Sequence, residues 1–211
     1  MAVLTVNWIS RFRGKIQVCL SFRSRLLLGL WILFLSPLLL ASSGSRLASR
    51  SEASREAQLK AVFLFNFAQF TTWPPEAFAD RSSPLIIGLV GLDQFGDSLE
   101  ATVQDELIHG RRVRLERYRT LAEVKNWHMM YLGQADPARL DQILQATKGK
   151  PILTVSDVQT PALRGGIIIK FLIKQNKIRF VINAEAARDA RLVLSSKLLQ
   201  AADGVIGADK K

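Results

Sequence analysis

Few residues of this 211-residue chain have the types and spacing that catalysis requires. Its two histidines, His109 and His128, form no His-x-x-x-His pair. A metal-binding histidine usually works with a second ligand close by, so we interpret both as structural residues. The Gly-x-Ser-x-Gly elbow of many serine hydrolases is absent as well. The sequence therefore predicts no catalytic residue, no metal site and no cofactor.

A glycine-rich stretch overlaps the end of the apolar run at residues 85–90 and suggests a phosphate-binding loop. Its glycines, Gly88, Gly91 and Gly96, match neither the dinucleotide fingerprint nor the P-loop, and no Lys-Ser/Thr follows Gly96. The signal for phosphate binding is weak.

Three other places have residues suited to holding a ligand. Asp157 follows a predicted strand, where an open parallel sheet places its ligand-facing loops. Gly165 and Gly166 precede the next strand and are typical of positive φ or of a close approach by another chain. Asn66 lies within an apolar helix and needs a hydrogen-bond partner wherever it is buried. A helix cap or turn at Asp157, and purely structural roles for the others, are the alternative interpretations.

Two aromatic residues are candidates for contact with a protein partner. Trp73 stands before two prolines at the end of a helix, and Phe171 lies in a predicted hairpin at the edge of the sheet. Trp73 also fits a role as a plug beneath the helix end, because a large indole is normally buried.

The first forty-three residues have the layout of a secretory signal peptide. Five basic residues and no acidic ones precede residues 26–40, a fifteen-residue stretch without charge, and small residues follow it. That stretch is shorter than the roughly 20 residues that a membrane-spanning helix needs. We therefore predict a cleaved signal peptide at 1–43, and the alternative is an uncleaved membrane anchor.

Composition narrows the function of the remaining chain. The only cysteine, Cys19, lies within the predicted leader, so the mature domain has no disulfide or thiolate chemistry. Loss of the five basic leader residues lowers the formal charge from +11 to +6. That moderate charge on an exported protein disfavours nucleic acid as a partner. The membrane is expected to be contacted only through the signal segment.

Hydrophobic periodicity predicts a single α/β domain at residues 55–208, after a flexible lead-in at 44–54. A helix is expected from Ser49 to Phe70, followed by strands at 85–90, 113–116, 129–132 and 151–155. Helices are expected after Gly96, from Asp136 and from Ser195, and a hairpin turns at Gln175-Asn176. Strands that alternate with helices indicate a mostly parallel sheet with helices on both faces and an antiparallel edge hairpin.

Several segments in succession resemble the YfiR family of periplasmic proteins. They begin with residues 56–74 (Glu-x-x-Leu-Lys-Ala-Val-Phe-Leu-x-Asn-Phe-x-x-Phe-x-x-Trp-Pro) and continue through Gly88-x-x-Gly91-x-Asp93-x-Phe95-Gly96 and Ile152 to Asp157. Gly165-Gly166-Ile167-Ile168, residues 177–183 and residues 195–202 complete the series. Each segment is unspecific alone, but together they keep the family's order over nearly all of residues 56–203.

The resemblance implies a periplasmic, non-enzymatic regulator, often a homodimer. The best-known members bind the periplasmic region of a membrane-bound diguanylate cyclase and hold it inactive, which lowers cyclic di-GMP and biofilm formation. A membrane sensor kinase is the alternative receptor to the cyclase. Family members often have a cysteine where this chain has Trp127-His128, so redox control is in doubt here.

A second hypothesis is a periplasmic protein that binds a small ligand and acts with a sensor kinase or transporter. A concave site lined by Asn66, Asp157 and the Gly165-Gly166 loop would favour ligand capture. An exposed apolar patch would favour a protein partner instead.

Overall fold

The structure is a computed structural model of the chain. It describes residues 44–91, 95–118, 127–133, 137–158 and 166–207. The predicted signal peptide at 1–43, most of the loop before Gly166, including Gly165, and the last four residues lie outside the described residues.

The described chain alternates helices and strands. The helices are α1 (Gly44–Gln69), α2 (Ser98–Val103), α3 (Pro137–Thr147), α4 (Ala184–Asp189) and α5 (Ser196–Ala201), and a 3₁₀ helix spans Pro75–Ala77. The strands are β1 (Thr71–Thr72), β2 (Leu85–Val90), β3 (Leu107–Ile108), β4 (Arg111–Tyr118), β5 (Met129–Leu132), β6 (Leu153–Ser156), β7 (Ile169–Lys174), β8 (Lys177–Asn183), β9 (Val193–Leu194) and β10 (Gly204–Ile206). In the described residues, no helix combines the length and the apolar character needed to cross a membrane.

Eight strands form one mostly parallel sheet in the order β10-β8-β7-β6-β5-β2-β4-β3. The five strands β4, β2, β5, β6 and β7 are parallel to one another. Counted along the chain, their order is that of a doubly wound 2-1-3-4-5 sheet. β1 and β9 form a separate antiparallel pair. The predicted α/β fold is confirmed.

Both faces of the sheet are covered by apolar side chains. Leu64 and Phe67 of α1 and Leu99 of α2 belong to the core on one face, together with Leu198 of α5. Ile143 of α3 belongs to the core on the other face. Continuous apolar strands such as β2 and β5 are typical of a sheet that is buried on both sides.

Helix α1 begins earlier than predicted. It starts at Gly44, so the segment predicted as a flexible lead-in, 44–54, is helical. It ends at Gln69, within one residue of the predicted end. The hydroxyl of Thr71 donates to the carbonyl of Phe67 just beyond this end, and Pro74 and Pro75 follow. Neither proline could supply the amide that a continued helix needs.

The hairpin of β7 and β8 turns where it was predicted, but it does not form the sheet edge. Gln175 and Asn176 have φ values of 51° and 57°, the left-handed region that a tight two-residue turn requires. Residues Gly204–Ile206 form β10, which pairs in parallel with β8 on the outer side of the hairpin. The description of this hairpin as an edge was therefore wrong.

Gly88 has a packing role within β2 that contradicts its interpretation as part of a phosphate loop. A Cβ atom built on Gly88 would lie 2.6 Å from Cδ2 of the Trp127 ring. Trp127 is itself buried in the core beneath α3, so the ring has little room to retreat. The glycine allows the indole to lie directly on the strand.

We predict that Gly88→Ala lowers the free energy of unfolding by about 1–3 kcal/mol, the usual cost of overpacking a core. Chemical denaturation of the purified domain measures the change. Gly204→Ala is the matched control, because its Cβ would lie at an ordinary 3.7 Å from Val181. Equal stability of the two variants would contradict this role for Gly88.

Candidate functional site

A buried cluster of charges lies at the carboxyl end of β6. The amino group of Lys60, from α1, lies 2.8 Å from Oδ2 of Asp157 and 2.7 Å from Oε1 of Glu56. Only 6% of the Lys60 side chain and 9% of the Asp157 side chain are exposed. The pair therefore fastens the middle of α1 to the end of a central strand.

The same cluster includes an aromatic ring and an unused acceptor. The Lys60 amino group lies 6.0 Å from the centre of the Phe171 ring, within the range of a cation–π interaction. Oδ1 of Asp157 is buried and has no hydrogen-bond partner among the described residues. The carboxylate can therefore accept one further hydrogen bond.

Asp157 and Glu56 stabilise the positive charge of Lys60. Burial alone would lower the pKa of Lys60, but hydrogen bonds to Asp157 and Glu56 outweigh it and raise the pKa above its ordinary value. The raised pKa keeps the ammonium protonated at neutral pH. The lysine therefore acts as a permanent cation and not as a base.

Lys60 and Glu56 were not among the site residues predicted from sequence. The signal that could have identified them is the position of Lys60 within a buried stripe that includes Ala57, Ala61 and Leu64. A lysine on the buried face of a helix needs an anionic partner. Glu56 lies one helical turn earlier, but Asp157 is 97 residues away in sequence.

Asn66 is satisfied within its own helix. Its side-chain amide donates to the carbonyl of Val62, one turn earlier, at 2.8 Å. This hydrogen bond is the partner that the side chain of Asn66 was predicted to need. Its assignment as a binding residue stays a prediction.

Gly166 lies at the opposite end of β6 from Asp157. It has a φ of 101°, as predicted, and its carbonyl accepts a hydrogen bond from the Thr154 hydroxyl. A cavity of about 240 Å³ includes Gly166, Thr154 and Asn183 in its lining, but neither Asp157 nor Asn66. A concave site lined by Asn66, Asp157 and the Gly165-Gly166 loop, which would favour ligand capture, stays untested, because Gly165 lies outside the described residues.

Trp73 is buried, and its assignment as a partner-binding residue stays a prediction. Its indole Nε1 donates to the carbonyl of His128 at 2.8 Å, which fits the alternative role as a plug beneath α1.

The His128 ring stacks on Phe78 with centroids 4.2 Å apart. Burial, opposed by a hydrogen bond to the Ala77 carbonyl and assisted by the charge of Arg111, lowers the pKa of His128.

Phe171 is also buried and forms part of an aromatic cluster with Phe63, Phe67 and Phe180. Its ring centre lies 5.9 Å from that of Phe63 and 5.5 Å from that of Phe67. Only 2% of Phe171 is exposed. The ring therefore does not reach the surface, and the assignment of Phe171 as a partner-binding residue stays a prediction.

Three large apolar residues that lie close in sequence to members of this cluster are exposed. Leu59 and Val62 on α1 and Ile173 on β7 are large exposed apolar residues. Leu59 and Val62 lie three residues apart and therefore on the same side of the helix. Ile173 lies two residues beyond Phe171, on the same face of the strand. We call Leu59, Val62 and Ile173 the α1/β7 surface.

In the described part of the chain, no group of three or more His, Cys, Asp or Glu side chains is arranged to hold a metal ion. The charged cluster at Lys60 is engaged in its own ion pairs, and the apolar residues lie on a surface and not in a deep cavity. Together, these features define a small doubly wound α/β domain.

Comparison with known families identifies the particular group. The model of the YfiR/HmsC-like family matches residues 57–203, and the chain belongs to this family. The family consists of periplasmic regulators of the diguanylate cyclase pathway and is regulatory, not catalytic. A search of curated proteins gave no match.

Proposed function

We propose that this protein acts in the periplasm by binding the sensor region of a membrane-bound diguanylate cyclase and holding the cyclase inactive. The observation that carries the proposal is the family match over residues 57–203, which spans nearly all of the described fold. The basic and apolar leader at 1–43 supports export by a cleaved signal peptide.

The α1/β7 surface is the contact that we assign to the cyclase. Exposed side chains of this size are normally scattered singly on a monomer. Leu59 and Val62 instead share one side of α1, next to Phe63, which packs on Phe171 and Phe180. A firm surface of this kind binds without having to order itself first, which favours affinity.

Inhibition by binding requires a difference in affinity between two states of the receptor. A regulator that bound active and inactive cyclase equally well would shift nothing. Moving a population from almost all active to almost all inactive takes about 5.5 kcal/mol of differential affinity. An interface of ordinary size can supply that difference.

Deletion of the gene in the source organism tests the proposal. We expect cyclic di-GMP to rise on deletion and to return to its original level when the wild-type gene is restored. The double variant Leu59→Ser/Val62→Ser should be exported and folded but should fail to lower cyclic di-GMP. It should also fail to bind the purified periplasmic region of the cyclase.

Val193→Ser is the control variant, because Val193 is also exposed but lies in β9, which belongs to a different sheet from β7. It should restore the original cyclic di-GMP level. An unchanged level on deletion would overturn the proposed function. Full activity of the Leu59/Val62 variant would overturn the assigned surface alone.

A further inference from the structure

A short segment between β1 and β2 is held over the sheet by the side chain of His128. We call this segment, residues 74–79, the flap. Its residues are exposed or half-buried, whereas His128 is 3% exposed. The ring of Phe78 in the flap stacks on the His128 ring with the two planes 13° apart. The His128 side chain therefore forms the buried base on which the flap lies.

Both ring nitrogens of His128 are used by main-chain groups whose roles are fixed. The amide of Ile86 donates to Nδ1 at 3.0 Å, so Nδ1 must be an unprotonated acceptor. Nε2 lies 3.0 Å from the carbonyl oxygen of Ala77. A carbonyl can only accept, so Nε2 carries the proton. The closed flap therefore requires the neutral imidazole in one tautomer.

Protonation of His128 is incompatible with this arrangement. A proton on Nδ1 points at the Ile86 amide, so two donors face each other without an acceptor between them. Because a buried donor without a partner is unfavourable, the imidazolium is stable only when its ring leaves this position. Leaving it breaks the hydrogen bond to Ala77 and the stack on Phe78.

Burial and a neighbouring charge also oppose the protonation of His128. Burial has the largest effect and lowers its pKa; the hydrogen bond to Ala77 opposes this effect, and the charge of Arg111 assists it. The Arg111 guanidinium lies 3.7 Å from the centre of the Phe78 ring. The flanking strands β2 and β6 contain no titratable side chain. The charged residues of the flap and of the turn after it are all exposed: Glu76, Asp80 and Arg81.

Both ends of the flap are fixed independently of the His128 ring. On one side, Trp73 is buried and donates to the main-chain carbonyl of His128. On the other side, Arg111 donates to the carbonyls of Asp80 and Ser83 at 2.8 and 2.7 Å. Withdrawal of the ring therefore frees the flap alone and leaves the sheet intact.

We propose that the flap is an acid-sensitive latch, closed on neutral His128 and released when that histidine is protonated. Because the pKa of His128 is lowered in the closed state, the closed flap is fully stable above about pH 6.5, the unperturbed value. It loses stability as the pH falls below that value. Release uncovers the apolar ring of Phe78 and so changes the surface of the protein in acid. The proposal does not rest on the function assigned to the α1/β7 surface.

Hydrogen exchange of the purified protein, corrected for the effect of pH on free amides, measures the release. Between about pH 7.5 and about pH 5, the protection of the Ile86 amide should fall at least about fivefold, the equivalent of leaving one buried donor unpaired. The Leu153 amide is the matched control, because it donates to the main-chain carbonyl of His128 and not to the ring. Its protection should stay constant. An Ile86 amide that behaves like that of Leu153 would overturn the proposal.

Two variants identify the histidine responsible. His109→Asn removes the other histidine of the chain and should keep the loss of Ile86 protection in acid. His128→Asn takes up no proton near neutral pH and should give the same Ile86 protection at both pH values. Nitrogen-15 NMR of the wild-type protein, which depends on no variant, should show an unprotonated Nδ1 in His128 at neutral pH. A proton on that Nδ1, an acid effect that persists in His128→Asn, or one that disappears in His109→Asn would contradict the latch.

Discussion

Replacing Lys60 with methionine should lower the free energy of unfolding by about 3–5 kcal/mol, the usual cost of breaking a buried ion pair. The substitution preserves most of the volume of the side chain but removes the cation beneath Asp157. The Asp157 carboxylate, which is 9% exposed, would then be buried without its ion-pair partner. Urea denaturation of the purified protein at neutral pH measures the loss.

The double variant Lys60→Met/Asp157→Leu distinguishes the loss of the ion pair from the cost of leaving the Asp157 charge buried without a partner. Replacing both charges with apolar side chains is often close to neutral, because the desolvation cost of both ions disappears. We therefore expect this variant to regain most of the stability lost in Lys60→Met. A double variant as unstable as the single one would contradict this account.

Lys174→Met is the surface control for the same change. Its ion pair with Asp203, at 3.0 Å, has 63% of the lysine side chain exposed. Exposed pairs contribute about 0–1 kcal/mol, so this variant should be nearly as stable as the wild type. A loss as large as that of Lys60→Met would show that burial is not the cause.

The raised pKa of Lys60 also predicts how the stability difference between wild type and Lys60→Met depends on pH. Because the folded-state pKa of Lys60 is raised, its stabilising effect is complete below the unfolded pKa of about 10.4. It is lost only as the pH rises through the folded-state value. The stability difference between wild type and Lys60→Met should therefore stay constant between about pH 6 and 9.

Local sequence signals predicted most of the fold. The apolar runs of β2 and β5 and the turn at Gln175-Asn176 have causes that lie within a few residues, namely burial and positive φ. β9 and β10 escaped prediction because they are two and three residues long. Strands of that length carry no readable period and depend on the partners that the fold brings to them.

The charged cluster shows why the candidate site was predicted only in part. Asp157 was identified because it follows a strand, which is a local signal. Its partner Lys60 lies on a helix 97 residues away, and no short-range pattern joins the two. Trp73 and Phe171 illustrate the converse, since an aromatic residue at a helix end or in a hairpin has the same sequence whether it lies in the core or on the surface.

The second large effect is expected at Phe171. Phe171→Ala should lower the free energy of unfolding by about 3–5 kcal/mol, because it removes a buried ring and leaves a cavity. The ring contacts Phe63 and Phe67, so the cavity would open between α1 and β7. Thermal and chemical denaturation measure the loss.

Ile173→Ala is the matched control on the same strand face. Ile173 is 58% exposed, so the loss should stay within about 0.5 kcal/mol. Comparable losses in the two variants would contradict the burial of Phe171.

The same two positions separate binding from stability. If the α1/β7 surface contacts the cyclase, Ile173→Ser should weaken binding to the purified periplasmic region without unfolding the protein. Phe171→Ala should weaken binding only to the extent that it unfolds the protein or displaces α1. Since Phe171 is covered by α1 and Ile173 is not, a folded Phe171→Leu variant should bind normally. Loss of binding in that folded variant would mean that the ring reaches the partner directly, and that α1 moves aside when the complex forms.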